Sequence, residues 1–338
     1  MLDFLTVFDM MPSPKVVATY EMDTNVPEPF CFVLNISELA GADVLEIIPG
    51  RVLRRATEKE IEYITDFMRK RFGENFSRGL WETRRPKWGK GSYVKLPKKE
   101  WRYFVIEFNG GNEELALLEK ALCIAPCGLE LGFTLSRVTL GKKVFPACLY
   151  SPPRLFQSLS ALSYAHSPER GAGQIITVAD AEQVGEIFAA LKAHDNGVLD
   201  LDRIFKLVFE LKDLPHFSPL QILGSFAALE SILTHAPAPA DLHDSITRQI
   251  KQKLALLNRR WQPPLDYSSF QPLPHDKIWS KMYDYRSAIA HGGLPDFKSK
   301  LSVLKSANSA NALISETLKK TICQALKEPQ LLADLHEC

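Results

Sequence analysis

The sequence predicts an α+β protein, with an N-terminal mixed α/β domain followed by an all-α helical bundle. Three observations lead there. The chain has 338 residues, enough for two domains with their own cores. Up to about residue 150 its apolar residues fall in short Val-, Ile- and Phe-rich runs broken by Pro, Asn and Gly. From Leu199 onward they recur at helical spacing behind capping residues. The expected organisation is therefore a mixed domain over 1–150, a helical connector over 151–196 and an all-α domain over 197–338.

In the first part, residues 15–23, 29–36, 44–55, 101–108, 128–140 and 142–150 read as strands. Thr57 and Glu60 form a capping-box pattern ahead of Ile61, Ile64 and Met68. Asn112 is placed to cap a helix through Leu115, Leu118 and Leu122. No glycine-rich phosphate loop joins a strand to a helix, so a nucleotide-binding α/β domain is not supported.

The connector predicts a helix over 151–166, a loop over 170–180 with room for one strand, and a helix capped by Asp180 that ends at Asn196-Gly197. The bundle begins with a helix over 199–212. Ser218, Pro219 and Gln221 then predict a capping box with proline at the first helical position. A third helix is expected over Asp241–Trp261, with Ile246, Ile250, Leu254 and Leu257 on one stripe. A fourth is capped by Asp276 and stops at Gly292-Gly293, and closing helices run from about Phe297 to Leu335.

Composition excludes several classes. Hydrophobic residues are 46% and charged residues 24%, ordinary globular values. The net charge of +1 gives no global attraction to nucleic acid, so any such binding needs a local patch. No apolar run approaches the roughly 20 residues of a membrane span. The first residues are apolar but carry Asp3 and Asp9 and no basic leader, so no signal peptide is read there. The six cysteines are irregularly spaced, which predicts free, mostly buried thiols and a cytoplasmic location. The eight histidines form no HxxxH or HExxH pair, so neither a metal nor another cofactor is expected.

One local patch stands out. Residues 81–104 hold Arg84, Arg85, Lys87, Lys90, Lys95, Lys98, Lys99 and Arg102 against Glu82 and Glu100, with tryptophan and tyrosine interleaved. Two readings fit it: cations and rings for single-stranded RNA, or a lysine-rich surface loop that Trp81 and Trp101 anchor to the core.

The stretch Lys281–Gly293, KMYDYRSAIAHGG, contains the main candidate chemistry. Arg286 offers a fork of donors for a phosphate, and His291 a proton carrier near neutral pH. Five residues apart, they lie about 140° around an ideal helix. They converge only if the last turn unwinds at the glycines or a second copy supplies the partner. Histidine at a helix end also has a plain capping role. On the second helix of the bundle, Leu223, Phe226, Ala227 and Leu233 are read as core-facing, with Glu230 in the middle of their stripe. Arg286 lies beside the stripe of Ile278, Met282 and Ile289. An inward carboxylate and guanidinium are costly alone, so a bidentate Glu230–Arg286 pair is expected.

FAALESIL (226–233) followed by YDYRSAIAHGG (283–293) resembles the HEPN superfamily, in particular its Apea-like branch. The resemblance covers roughly Leu199 to Leu335, and IIPGRVLRRATEKEIE (47–62) is similar to the companion region of some Apea-like proteins. It implies a HEPN-type bundle that forms a homodimer and brings two Arg-x4-His motifs to one cleft. Many members are metal-independent endoribonucleases of bacterial defence or toxin systems, with an antitoxin or a phage-derived trigger as partner; others are non-catalytic dimerisation, nucleotide- or RNA-binding modules. Carried over, Arg286 and His291 become the catalytic pair, with Glu230, Tyr285 and Ser287 supporting them. Active members often carry Asn, Asp or His directly after the arginine, where this chain has Ser287.

Overall fold

The computed structural model describes residues 28–34, 36–73, 83–84, 94–108, 110–140, 143–150, 174–195, 199–212, 214, 218–235, 245–270 and 272–337. The strand expected at 15–23, the helix expected at 151–166 and the prolines and alanines at 236–240 lie outside them. The described parts divide into two compact units. One takes in 1–46, 50–112 and 130–177; the other takes in 47–49, 113–129 and 178–338.

The first unit is built on an antiparallel sheet. Its elements are β1 (Phe30–Val33), β2 (Ile36–Leu39), β3 (Val44–Ile48), β4 (Arg51–Arg55), β5 (Thr83–Arg84), β6 (Val94–Lys95), β7 (Phe104–Glu107), β8 (Leu131–Leu140), β9 (Lys143–Tyr150) and β10 (Gln174–Ile176). Six of these form one sheet in the order β3-β4-β7-β1-β8-β9, while β10 pairs with β2 in parallel and β5 pairs with β6. Strand β1 sits inside the sheet, pairing Phe30 with Glu107 on one side and with Leu135 on the other. All four of its residues are buried, which is why it reads as a continuous apolar run rather than an alternating one.

Helix α1 (Glu58–Phe72) covers this core with Ile61, Ile64 and Met68, which pack among Phe32, Trp101, Tyr103 and Phe133. The expected capping box is formed. Thr57 Oγ1 accepts from the Glu60 amide at 3.3 Å, and the Thr57 amide donates to Glu60 Oε2 at 2.8 Å. Arg54 grips the same carboxylate through two donors at 2.9 Å each and also reaches Glu107 at 2.7 Å. Burial pushes the Glu60 carboxyl up, but Arg54 and Thr57 outweigh it and hold the group below its ordinary value.

The helical unit contains α2 (Asn112–Ile124, from Glu113 on), α3 (Val178–Ala193), α4 (Leu201–Lys212), α5 (Leu220–Leu233), α6 (Ile246–Arg260), α7 (His275–Ala290), α8 (Ala307–Lys327) and α9 (Pro329–Glu337). It therefore draws in α2 and α3, which the sequence reading gave to the mixed domain and the connector. Helix α5 is the hub, in contact with α4, α6, α7, α8 and α9. That explains its nearly unbroken apolar sequence: five neighbours leave little of it for water.

Several local expectations need correction. Helix α3 starts at Val178, so Asp180 lies in its first turn rather than at its cap. Ahead of α5, Pro219 has helical angles and Ser218 Oγ accepts from the Leu220 amide at 3.3 Å, but Gln221 reaches the Leu214 carbonyl at 3.5 Å instead of closing a box. The buried face of α5 is Ile222, Ser225, Phe226, Ala228, Leu229, Ile232 and Leu233, whereas Ala227 is exposed and Leu223 half-buried. The stripe is rotated from the expected one because with neighbours on most sides the periodicity carries little directional signal. Glu230 consequently stands at the edge of the buried face, not in its middle. Helix α6 begins one residue after its Ser245 cap, not at Asp241. Ile250, Leu254 and Leu257 are buried as expected, while Ile246 is 37% exposed.

Candidate functional site

The candidate site is on α7, which is held firmly at its start. Pro274 precedes the helix and Asp276 lies within its first turn, so the anticipated Asp276 cap is absent. His275 does the anchoring. Its Nε2 faces the Lys251 carbonyl at 3.1 Å and its Nδ1 faces the Tyr267 hydroxyl at 2.9 Å. A carbonyl only accepts, so Nε2 bears the hydrogen and Nδ1 accepts from Tyr267. The Tyr267 oxygen in turn accepts from Trp279 Nε1 at 3.1 Å. Burial lowers the His275 pKa below its ordinary value and pushes the Tyr267 phenol up to about 12. The network therefore stays neutral, and it ties the first turns of α7 to α6 and to the loop before it.

The far end is closed by a Schellman motif. The Gly293 amide donates to the Ala288 carbonyl at 2.7 Å and the Gly292 amide to Ile289 at 3.0 Å. Gly292 carries φ of 70°, the left-handed conformation this motif needs and glycine adopts freely. The last turn is thus intact. The unwinding that would bring Arg286 and His291 together within one chain is therefore absent.

Between these ends, Arg286 faces a cleft of about 430 Å³ lined by Glu230, Ile246, Thr247, Ser280, Tyr283, Asp284, Arg286 and Ser287. The Glu230–Arg286 contact exists but is not bidentate: one Nη2 to Oε2 approach of 3.5 Å, the long limit of a hydrogen bond. The other Glu230 oxygen accepts from the Tyr283 hydroxyl at 3.3 Å. Burial, and then the Glu230 carboxylate, raise the Tyr283 pKa, so it remains a neutral donor. Arg286 Nε is buried with no partner, and Glu230 is the guanidinium's one hydrogen-bond partner among the described residues. The Arg286 side chain is 38% exposed. It presents spare donors toward the cleft.

His291 is exposed, caps the helix and does not line this cleft; its backbone amide donates to the Ser287 carbonyl at 3.1 Å. Ser287 does line it. Tyr285, expected to support the site, points the other way: it is 2% exposed and its ring lies 5.1 Å from that of Phe297. The tyrosine that serves the site is Tyr283. Its signal was available, since residues three apart share a helix face and Tyr283 precedes Arg286 by three.

Of the basic stretch, Arg85, Lys87 and Lys90 lie outside the described residues, as does the side chain of Arg84. Lys98 is bound to Glu62, and Lys99 is exposed. Trp101 is fully buried, with its indole N–H donated to the Leu96 carbonyl at 2.9 Å, so its ring packs in the core rather than offering a face to a base. Lys95 stands 5.4 Å above that ring from outside.

Among the described residues no group of three or more His, Cys, Asp or Glu side chains could hold a metal ion. No described helix is long and apolar enough to cross a membrane. Cys31 and Cys123 are buried, Cys127 and Cys323 half-buried and Cys148 exposed, all as free thiols. No protein-family model, curated protein or solved structure matches the chain.

Proposed function

We propose that the helical unit is a HEPN-type domain and that the protein is a metal-independent endoribonuclease whose site is completed across a homodimer. The observation that carries this reading is the state of Arg286: a guanidinium at a cleft, held by one long contact to Glu230, with an orphaned Nε and donors to spare. One guanidinium edge meets Glu230, and the other is available for a phosphate. His291 caps the same helix about 140° further round, so a proton carrier for that phosphate comes from a second copy.

In this mechanism the ribose 2′-OH attacks its own phosphodiester. His291 takes the 2′ proton, and the 5′ oxygen leaves with a proton from the second histidine. Arg286 stabilises the dianionic phosphorane. The products are a 2′,3′-cyclic phosphate and a 5′-hydroxyl. DNA is inert because it lacks the nucleophile. Bacterial defence or toxin systems, with an antitoxin or a phage-derived trigger, are the setting we propose for such an activity.

The test is incubation of the purified protein with labelled RNA in EDTA. Arg286→Ala and His291→Ala each abolish cleavage on this reading, and cyclic-phosphate ends appear with wild type. Because this mechanism uses a histidine from each copy, mixing the two inactive variants restores no activity; recovery to roughly a quarter of wild type would mean that one histidine per site suffices, since half of randomly paired dimers would then carry one intact site of two. Cleavage that survives His291→Ala overturns the mechanism.

One observation favours a second reading. Glu230 is gripped by both Tyr283 and Arg286, an arrangement that holds α5 to α7 without any chemistry. On that reading the domain is a non-catalytic dimerisation, nucleotide- or RNA-binding module, and no RNA is cleaved in any metal-free buffer.

A further inference from the structure

The Glu230–Arg286 contact is less than the two groups could make. Glu230 has two carboxylate oxygens, and Arg286 has two parallel donors, Nε and Nη2, on one edge of its guanidinium. The spacing of such donors matches that of the oxygens, which is why these pairs are often bidentate. Here only Nη2 engages, at 3.5 Å to Oε2. Nε, on the same edge, is buried and has no acceptor. Buried donors in folded proteins rarely go without one.

The missing acceptor is accounted for three residues earlier on α7. The Tyr283 hydroxyl donates at 3.3 Å to Glu230 Oε1, the oxygen that Nε would otherwise take. Its ring is held in turn by α5. It meets Phe226 edge-on, with centroids 4.7 Å apart, and Phe226 is fully buried. Burial, and then the carboxylate, raise the Tyr283 pKa, so the phenol stays a neutral donor.

Glu230 therefore stands between two competitors. Its side chain is 17% exposed, which makes water a poor substitute for either. Tyr283 and Arg286 are its side chain's hydrogen-bond partners among the described residues. If the hydroxyl is removed, one carboxylate oxygen and one guanidinium N–H are both left unsatisfied, close together and opposite in charge. A bidentate pair then forms by a turn of the carboxylate alone.

We propose that Tyr283 is a positioning residue for Arg286: its hydroxyl holds Glu230 Oε1 and so prevents the carboxylate from closing on the guanidinium and neutralising it. This rests on the reading of Arg286 as the phosphate-binding group. Tyr283 acts through Glu230 and touches no reacting atom. The long, single contact between Glu230 and Arg286 is on this view a consequence of the tyrosine, and it is what keeps the arginine's charge available to an anion.

The test uses the full chain labelled with ¹⁵N-arginine, with the Arg286 Nε–H signal read by NMR and assigned through Arg286→Lys. Arg54 Nε, which donates to Glu107 at 2.7 Å, supplies the reference for a carboxylate-bonded arginine in the same protein. In wild type the Arg286 proton should lie upfield of the Arg54 proton, and in Tyr283→Phe it should move downfield toward it. Inorganic phosphate titrated into the same samples should bind Tyr283→Phe about tenfold more weakly than wild type, the worth of one charge-assisted hydrogen bond. Adding Glu230→Gln to Tyr283→Phe should restore the affinity, because a carboxamide is uncharged and cannot accept from both donors. A wild-type Arg286 signal already at the Arg54 position overturns the proposal without any substitution at Tyr283. So does a wild type that binds no phosphate, an unmoved signal in Tyr283→Phe, or a failure of Glu230→Gln to rescue. A lower melting temperature with an unmoved signal is the mark of a plain tie between α5 and α7. Wild type that binds phosphate as expected yet cleaves no RNA would sink the ribonuclease reading and leave the role of Tyr283 standing.

Discussion

Replacing Arg286 by alanine separates its two candidate roles through stability alone. A buried counter-ion removed from its partner costs about 3–5 kcal/mol, because the remaining charge is stranded. The geometry here predicts much less. The contact is one approach of 3.5 Å, the guanidinium is 38% exposed and Glu230 17% exposed, and Tyr283 continues to donate to the carboxylate after the arginine is gone. Exposed pairs of this quality contribute about 0–1 kcal/mol after screening. Loss of the orphaned Nε returns about 1 kcal/mol in the opposite direction. The net loss for Arg286→Ala is therefore under about 1 kcal/mol, or roughly 2–4 °C in melting temperature for a unit of this size. The assay is urea unfolding followed by far-ultraviolet circular dichroism for wild type, Arg286→Ala, Glu230→Gln and the double variant. The coupling between the two residues should come out below about 1 kcal/mol. A loss of about 3 kcal/mol or more that the Glu230→Gln background suppresses would show that Arg286 exists to neutralise Glu230, and the case for it as a phosphate-binding group would collapse.

Two further outcomes follow from the ends of α7. Because the folded pKa of His275 lies below that of the unfolded chain, its neutral network stabilises fully above the unfolded value, near 6.5, and that contribution is lost as pH falls through the folded value. Tyr267→Phe, which orphans the Trp279 N–H and His275 Nδ1, should cost about 1–3 kcal/mol at pH 7.5 and weaken the pH dependence below 6.5; denaturant titrations at pH 7.5 and 5 read both effects. Gly292→Ala forces a side chain into left-handed backbone, costing about 1–2 kcal/mol, and displaces His291. RNA cleavage in the purified variant should fall well below wild type, and unchanged cleavage would mean that the capped helix end does not set the position of the histidine.

Much of this architecture was legible in the residues. The Thr57–Glu60 capping box, the glycine end of α7 and most helices depend on interactions within a few positions of chain. Short-range chemistry of this kind is written in spacing and residue type. The meeting of Glu230 with Arg286 was also anticipated, since two charges at the margins of apolar stripes need each other. What spacing did not carry is direction. Which face of α5 is buried depends on five neighbours, and a helix surrounded by others has no clear polar side from which to read its rotation.

The sequence by itself determined the alternation of strands and helices, the cap chemistry and the residues capable of phosphate and proton chemistry. Only the tertiary structure decided where they are placed. It showed the last turn of α7 closed, which keeps His291 on its own side of the helix. It grouped α2 and α3 with the bundle. It also left Arg286 Nε without an acceptor while Tyr283 donates to Glu230, 53 positions away in the chain. The physical reason is one of range. Capping and periodicity act over one or two turns, whereas desolvation and the presence or absence of a counter-charge depend on which distant segments pack around a group.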